Sequence, residues 1–162
     1  VAALDRAPAA RAGSFVVVLR RGWLLYRLGK YAESVDAYNQ AIAAAPKAVE
    51  ARIGILLPLL AQRRWTTVEE HARAALRLDP ANYLATLRMA FAIYNLHRYD
   101  ESAGLYRRLH ELYPSDVEVI SGLGWALLKA GKAAEAQPIF REGAELAPRH
   151  VLIREGLKAA GG

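Results

Sequence analysis

The sequence predicts an all-α fold, a solenoid of helix–turn–helix repeats. Four prolines recur at a constant interval of 34 residues, at Pro46, Pro80, Pro114 and Pro148. Two aromatic columns keep the same phase: Tyr31, Trp65 and Tyr99 form one, and Tyr38, Tyr106 and Phe140 form the other. A fixed period through most of a chain is the signature of a repeat array, in which each repeat buries its apolar face against its neighbours.

The first repeat, residues 15–48, shows the two helices that each repeat is expected to contain. An apolar run over residues 15–28 is followed by Gly29, a second run over residues 31–45, and Pro46. Small or apolar residues lie at i, i+4 and i+7 on both runs: Val18, Gly22 and Leu25, then Ser34, Tyr38 and Ala41. This spacing gives each helix one face to bury. Gly29 suits the left-handed backbone that ends a helix, and Pro46 cannot extend the helix before it.

The second repeat, residues 49–82, departs from this pattern. Leu56 and Val68 occupy positions that are small in the first repeat, and Pro58 lies inside the first helix. An interior proline costs a helix about 3 kcal/mol. We therefore expect this helix to splay or kink. In the third repeat, residues 83–116, His97 takes the place of the turn glycine.

These columns resemble the tetratricopeptide repeat (TPR), whose 34-residue unit reads W-x2-L-G-x2-Y, then A-x3-F and a closing proline. In the fourth repeat, residues 117–150, the matching residues are Leu123, Gly124, Leu127, Gly131, Ala136, Phe140 and Pro148. In the first repeat they are Gly22, Leu25, Gly29, Tyr31, Ser34, Tyr38, Ala41 and Pro46. The resemblance covers residues 15–150. It implies eight full helices over residues 15–148, paired antiparallel and stacked into a right-handed superhelix.

The two ends read as pieces of the same pattern. Residues 1–14 are expected to hold the end of a preceding helix plus a linker, with residues 9–13 loosening the junction. Residues 151–162 are expected to form a capping helix, with Leu152, Ile153, Gly156 and Leu157 facing the array. Because no methionine precedes Val1, we expect a processed form or an excised segment. The compartment is then cytoplasmic or, after processing, bacterial periplasmic, and the sequence does not decide between them.

The amino-acid composition argues against a membrane-spanning protein and against a disulfide-bonded one. Hydrophobic residues make up 54% of the chain, but Arg or Glu interrupts the apolar runs well before the length of about 20 residues that crosses a bilayer. A soluble protein without membrane insertion is therefore expected. The absence of cysteine excludes a disulfide framework and thiol chemistry.

The inventory of reactive side chains argues against an enzyme. The four histidines, His71, His97, His110 and His150, fall at different helical phases, and none belongs to an H-E-x-x-H motif. No phosphate-binding or nucleotide-binding glycine motif and no G-x-S-x-G motif occurs. No catalytic residue, cofactor or metal is predicted.

The net charge of +6 raises the question of a nucleic-acid partner. The arginine pairs at 20–21, 63–64 and 107–108 fall at different phases of their repeats. A nucleic-acid tract would align its basic residues on one face, so nucleic acid is not the partner that the sequence predicts. A basic RNA-binding or polyanion-binding array remains the alternative, and salt between about 50 and 200 mM would abolish its binding.

A second apolar stripe follows the first helix of each repeat, about one residue's rotation from the core face. Its members are Leu19, Trp23, Tyr26, Ile53, Leu57, Leu87, Phe91, Tyr94, Trp125 and Leu128. In proteins that this chain resembles, that side of the first helix lines a concave groove. Polar residues flank the stripe and are expected at the groove margin: Arg20, Arg27, Arg88, Asn95 and Lys129.

The stripe predicts a non-catalytic scaffold or adaptor that binds a protein or peptide. The carboxylate clamp of chaperone-binding members of the family needs Lys and Asn where this chain has Leu19, Trp23 and Gly54. An amphipathic helix with acidic flanks is the partner expected from the cationic margins. The stripe is also consistent with packing between successive repeats and with self-association of the chain.

Overall fold

The computed structural model describes residues 9–161. These residues form ten α-helices and no strand, which confirms the all-α fold class. The helices are α1 (Ala9–Arg27), α2 (Tyr31–Ala44), α3 (Val49–Gly54), α4 (Leu56–Ala61), α5 (Trp65–Leu78), α6 (Tyr83–Asn95), α7 (Tyr99–Leu112), α8 (Val117–Lys129), α9 (Ala133–Leu146) and α10 (Val151–Ala159). Within this part of the chain, no helix combines the length and the apolar character needed to cross a membrane.

The chain divides into two compact units at the boundary between Asn82 and Tyr83, where the predicted second repeat ends. The N-terminal unit contains α1 paired with α2, followed by α3 and α4 paired with α5. The C-terminal unit contains α6 paired with α7, α8 paired with α9, and α10 packed on both α8 and α9. Each helix pair corresponds to one 34-residue repeat of the sequence.

Helix α1 begins earlier than the sequence predicts. Residues 9–14 were expected to be a linker, but they form the start of α1, and this prediction is wrong. Three alanines among these residues explain the difference, because alanine has the highest helix propensity of all residues. The predicted helix end over residues 1–8 lies outside the described residues.

The first helix of the second repeat is divided, as the sequence predicts. Helix α3 ends at Gly54 and α4 begins at Leu56, so residues 15–148 hold nine helices where eight are predicted. Pro58 has no N–H group to donate to the carbonyl of Gly54, and its ring crowds that carbonyl. The break therefore falls one turn before the proline.

Residue sizes in the second repeat are reversed relative to the other repeats. Leu56 takes the place of the small residue of the first helix, while Ala72 takes the place of the aromatic residue of the second helix. Both side chains are fully buried, as is Val68. Exchanging a large and a small residue between facing helices keeps the buried volume similar, which explains why the core tolerates Leu56.

The turn between paired helices has a left-handed residue in all four repeats. Gly29 has φ +74° and Gly131 has φ +80°, while Arg63 has φ +56° and His97 has φ +61°. A left-handed conformation costs a non-glycine residue roughly 1–2 kcal/mol. At His97, the ring Nδ1 lies 2.6 Å from the hydroxyl of Tyr99, a hydrogen bond that offsets part of this cost.

Small residues allow the paired helices to approach closely. The buried hydroxyl of Ser34 donates to the carbonyl of Gly22 at 2.7 Å, and that of Ser102 donates to the carbonyl of Ala90 at 2.8 Å. A Cβ atom added at Gly22 would lie 2.9 Å from the ring of Tyr38. The paired helices therefore cross closely, and the aromatic ring of the second helix covers the glycine.

Candidate binding cavity in the C-terminal unit

A cavity of about 610 Å³ lies among α6, α7, α8 and α10. Its volume falls within the range of roughly 300–1,000 Å³ that is typical of ligand pockets in proteins. Three helices and the start of a fourth contribute the lining residues, which are Phe91, Tyr94, Tyr106, Glu118, Ser121, Gly122, Trp125, His150, Leu152 and Glu155. We call this site the aromatic cavity.

The N-terminus of α8 is fixed by a capping network. One carboxylate oxygen of Asp116 accepts hydrogen bonds from the backbone N–H groups of Glu118 at 3.0 Å and Val119 at 3.2 Å. The other oxygen accepts a hydrogen bond from the Tyr83 hydroxyl at 2.6 Å. Because Tyr83 begins α6, this network joins two helices that line the cavity. It also fixes Glu118 at the first turn of α8.

One face of α8 supplies four of the lining residues. Glu118, Ser121, Gly122 and Trp125 are spaced i, i+3, i+4 and i+7, which places them on the same side of the helix. A Cβ atom at Gly122 would overlap the ring of Tyr106 from α7. The glycine therefore lets this buried tyrosine pack directly against the backbone of α8 and form the floor of the cavity.

Trp125 is held in place by α9 and α10. Its indole Nε1–H donates to the carbonyl of Leu152 at 3.0 Å. Its ring meets that of Phe140 edge to face, with centroids 5.7 Å apart and an interplanar angle of 76°. Edge-to-face contacts of this kind are favourable because the positive ring edge meets the negative ring face. The indole is thus a fixed wall of the cavity.

Two large apolar side chains of the cavity remain accessible. Phe91 is 47% exposed and Leu152 is 52% exposed. Single exposed apolar residues are common on protein surfaces and need no explanation. These two differ because they line one concave site together with Trp125, Tyr94 and Tyr106. A concave surface with several aromatic rings is typical of a binding site.

The tyrosines of the cavity stay neutral. Burial raises the pKa of the Tyr106 phenol, and the nearby charge of Glu118 raises it further. Burial also raises the pKa of Tyr94, with a smaller contribution from Tyr99. Both phenols therefore carry their protons at any physiological pH. They offer apolar ring surface and hydroxyl groups to an occupant, but no charge.

The structure brings together three of the predicted groove residues, Phe91, Tyr94 and Trp125. Leu87 is a correction to the predicted site, since it is only 7% exposed and belongs to the core. It lies one turn before Phe91 on α6, where the apolar stripe passes into the buried face of the helix. Leu128 is half-buried and is not among the lining residues.

The N-terminal unit has a smaller cleft of its own, of about 290 Å³. Two predicted groove residues, Leu19 and Trp23, line it together with Arg20, Tyr38 and Glu50. Trp23 is 47% exposed, and the guanidinium carbon of Arg27 lies 5.3 Å from the centre of its ring. This distance is typical of a cation–π contact.

The remaining predicted groove residues of the N-terminal unit lie elsewhere. Tyr26, Ile53 and Leu57 are half-buried, and none of them is a lining residue of this cleft. The ring of Tyr26 instead contacts that of Tyr31 across the turn, with centroids 5.9 Å apart.

The charge of the aromatic cavity also differs from expectation. The sequence predicts cationic margins that include Arg88 and Lys129, with Asn95 beside them. Among the described residues, no lysine or arginine lines this cavity, whereas the carboxylic acids Glu118 and Glu155 do. The side-chain amide of Asn95 instead donates to the carbonyl of Phe91 at 2.8 Å on its own helix. None of the predicted margin residues is therefore among the residues that line this cavity.

Seven of the residues that line the cavity were not predicted as groove residues. Only some of them could have been identified from a pattern in the sequence. Glu118 lies seven residues before Trp125, a spacing that places both on one helix face, so it could have been found. Glu155, Leu152 and His150 come from α10 or its N-cap. Their position depends on how α10 packs against α8 and α9, which a helical period does not specify.

Comparison with known proteins agrees with the repeat assignment. A family model described as tetratricopeptide repeat matches residues 19–82. The Hsp70-Hsp90 organizing protein of Triticum aestivum is 32% identical over 96 residues, which cover 59% of this chain and 16% of that protein. The chain thus spans 16% of the length of the curated relatives it matches.

Solved structures show the same fold. A MamA RS-1 double mutant has a TM-score of 0.85 at 14% identity, covering 93% of this chain and 83% of its own. YrrB, described as a TPR protein with an unusual peptide-binding site, has a TM-score of 0.78 at 18% identity, covering 88% of this chain and 74% of its own. The match to the family model over residues 19–82, the 34-residue period and the paired helices together make the chain similar to tetratricopeptide repeat proteins.

Proposed function

We propose that the chain is a non-catalytic protein-interaction module that binds a peptide segment of a partner in the aromatic cavity. The observation that carries this proposal is the convergence of accessible Phe91 and Leu152 with the fixed indole of Trp125 on one concave site. The TPR fold supports a scaffold role, and YrrB provides a family member that its description associates with peptide binding.

The site is suited to binding because much of it is already ordered. Trp125 is held by a hydrogen bond and a ring contact, and Tyr106 is buried against α8. Binding to side chains that are already fixed costs less conformational entropy than ordering mobile ones. Aromatic residues in such positions are the side chains that most often dominate binding energy at interfaces.

Phe91→Ala should weaken peptide binding at least tenfold. The probe is the peptide most enriched when a phage-displayed library of random dodecapeptides is panned on the wild-type chain. Truncating an aromatic anchor at the centre of an interface typically costs about 2 kcal/mol or more. The dissociation constant is measured by isothermal titration calorimetry on both proteins.

Leu112→Ala is the matched control for this experiment. Leu112 is 70% exposed in the same unit and does not line the aromatic cavity, so its truncation should change the dissociation constant less than twofold. Far-UV circular dichroism checks that both variants remain helical. A library that yields no binder contradicts the proposal, as does a peptide whose affinity is unchanged in Phe91→Ala. Unfolding of Phe91→Ala would instead show that the ring is part of the core.

A further inference from the structure

Two carboxylates without an ion pair stand at the aromatic cavity. Within the described part of the chain, neither Glu118 nor Glu155 has a basic partner within ion-pair distance. Three other acidic residues of the unit are paired: Glu101 with Arg98 at 2.6 Å, Asp100 with Lys132 at 2.7 Å, and Glu135 with Arg107 at 3.0 Å. The cavity therefore combines aromatic surface with two carboxylates that form no ion pair.

The negative charge at the cavity is opposite in sign to the net charge of the chain. The net charge is +6, so the long-range field of the protein attracts anions. At the cavity, the two nearby carboxylates act over a shorter distance and repel an anionic group. A partner that enters the site thus meets a local charge opposite in sign to the overall one.

From these observations we infer that the occupant of the aromatic cavity is a peptide segment that presents a lysine or arginine beside apolar side chains. This inference rests on the proposed function. The aliphatic stem of such a side chain packs against apolar surface while its charged end remains near polar groups. Here the apolar surface is supplied by Phe91 and Leu152, and the charged end meets Glu118 and Glu155. Aromatic faces add cation–π attraction.

The charge of the inferred occupant is opposite to that of the partner expected from the sequence. Cationic margins at Arg88 and Lys129 favour acidic flanks on a partner helix, but the residues that line the cavity favour basic ones. A segment with glutamate or aspartate at the same place would bring like charges together, which lowers its affinity.

Panning the random dodecapeptide library on the wild-type chain gives the first test. We expect the enriched peptides to carry lysine or arginine next to an aromatic or aliphatic residue. Enrichment of aspartate or glutamate at those positions would overturn the inference. If such acidic peptides still lost affinity in Phe91→Ala, the proposed function would stand without it.

A pair of double variants gives the second test. Glu118→Gln with Glu155→Gln should weaken binding of the most enriched peptide at least tenfold, because both carboxylates lose their charge while the shape of the side chains is kept. The matched control is Glu111→Gln with Glu145→Gln. Both of these glutamates are exposed in the same unit, outside the cavity, and their replacement changes the net charge equally. The control should stay within twofold of the wild type.

The salt dependence of binding and the control variant distinguish the inferred basic peptide from peptide binding in general. The tenfold loss should shrink as salt rises from about 50 to 500 mM, because ions screen the contribution of the carboxylates. An equal loss in both double variants would show that the net charge matters and the cavity does not, which overturns the inference. No loss in either variant, with Phe91→Ala still damaging, would mean that the peptide binds by apolar contacts alone.

Discussion

Phe140→Ala should lower the free energy of unfolding by about 3–5 kcal/mol, the usual cost of removing a large ring from a well-packed core. Phe140 is fully buried on α9. Its ring lies against the backbone at Gly124 of α8 and at Gly156 of α10, and it packs edge to face with the ring of Trp125. The variant therefore leaves a cavity at the point where three helices meet, and it removes a support of the binding site.

Chemical denaturation followed by circular dichroism measures this effect. Leu112→Ala is again the control, since a 70% exposed side chain outside the core should change stability by less than about 0.5 kcal/mol. A loss below about 1 kcal/mol for Phe140→Ala would contradict the packing of α9 against α8 and α10.

Gly124→Leu should destabilise the chain by about 1–3 kcal/mol through overpacking. The ring of Phe140 lies 2.5 Å from the position that a Cβ atom of residue 124 would occupy. The obstacle is thus an aromatic ring held on several sides, and it cannot move away without disturbing α10.

Gly104→Leu separates this steric effect from helix propensity. Gly104 is helical and exposed in α7, and a Cβ atom added there meets nothing within 4 Å. Leucine should be neutral at that position or stabilise the helix by up to about 1 kcal/mol. Denaturant midpoints that fall equally in both variants would contradict the tight crossing of α8 and α9.

Combining Phe140→Ala with Gly124→Leu tests whether the two residues share one space. The added leucine can occupy part of the volume that the ring leaves, so the double variant should lose less stability than the sum of the two single variants. Additive losses would mean that the two positions are not in contact.

Much of the fold follows from the sequence because the helical repeat is encoded locally. The proline and aromatic columns predict where each helix ends, and Gly29 and His97 mark left-handed turns that the structure contains. Pro58 predicts the break in the second repeat, since the loss of one N–H group acts within a single turn. These features depend on residues close together in the chain.

The binding site is predicted less completely because it depends on packing. The 34-residue column that contains Phe91 and Trp125 identifies two aromatic residues of the cavity wall. The position of a residue in its repeat does not specify how deeply its side chain is buried. Leu87, in the neighbouring column, lies in the core. The charge of the site comes from Glu118 and Glu155, which lie on different helices. Their positions around one cavity depend on tertiary packing, which the position of a residue in its repeat does not specify.

The aromatic cavity of the C-terminal unit is proposed to bind a partner segment. The most direct measurement follows the indole N–H signals of the three tryptophans by ¹H–¹⁵N correlation spectroscopy while the selected peptide is added. Trp125 lines the cavity and its N–H bonds to Leu152, whereas Trp65 lies in α5 of the other unit and serves as an internal reference. We expect the Trp125 signal to shift in proportion to peptide occupancy while the Trp65 signal stays in place. A bound peptide that leaves the Trp125 signal unmoved would contradict the claim.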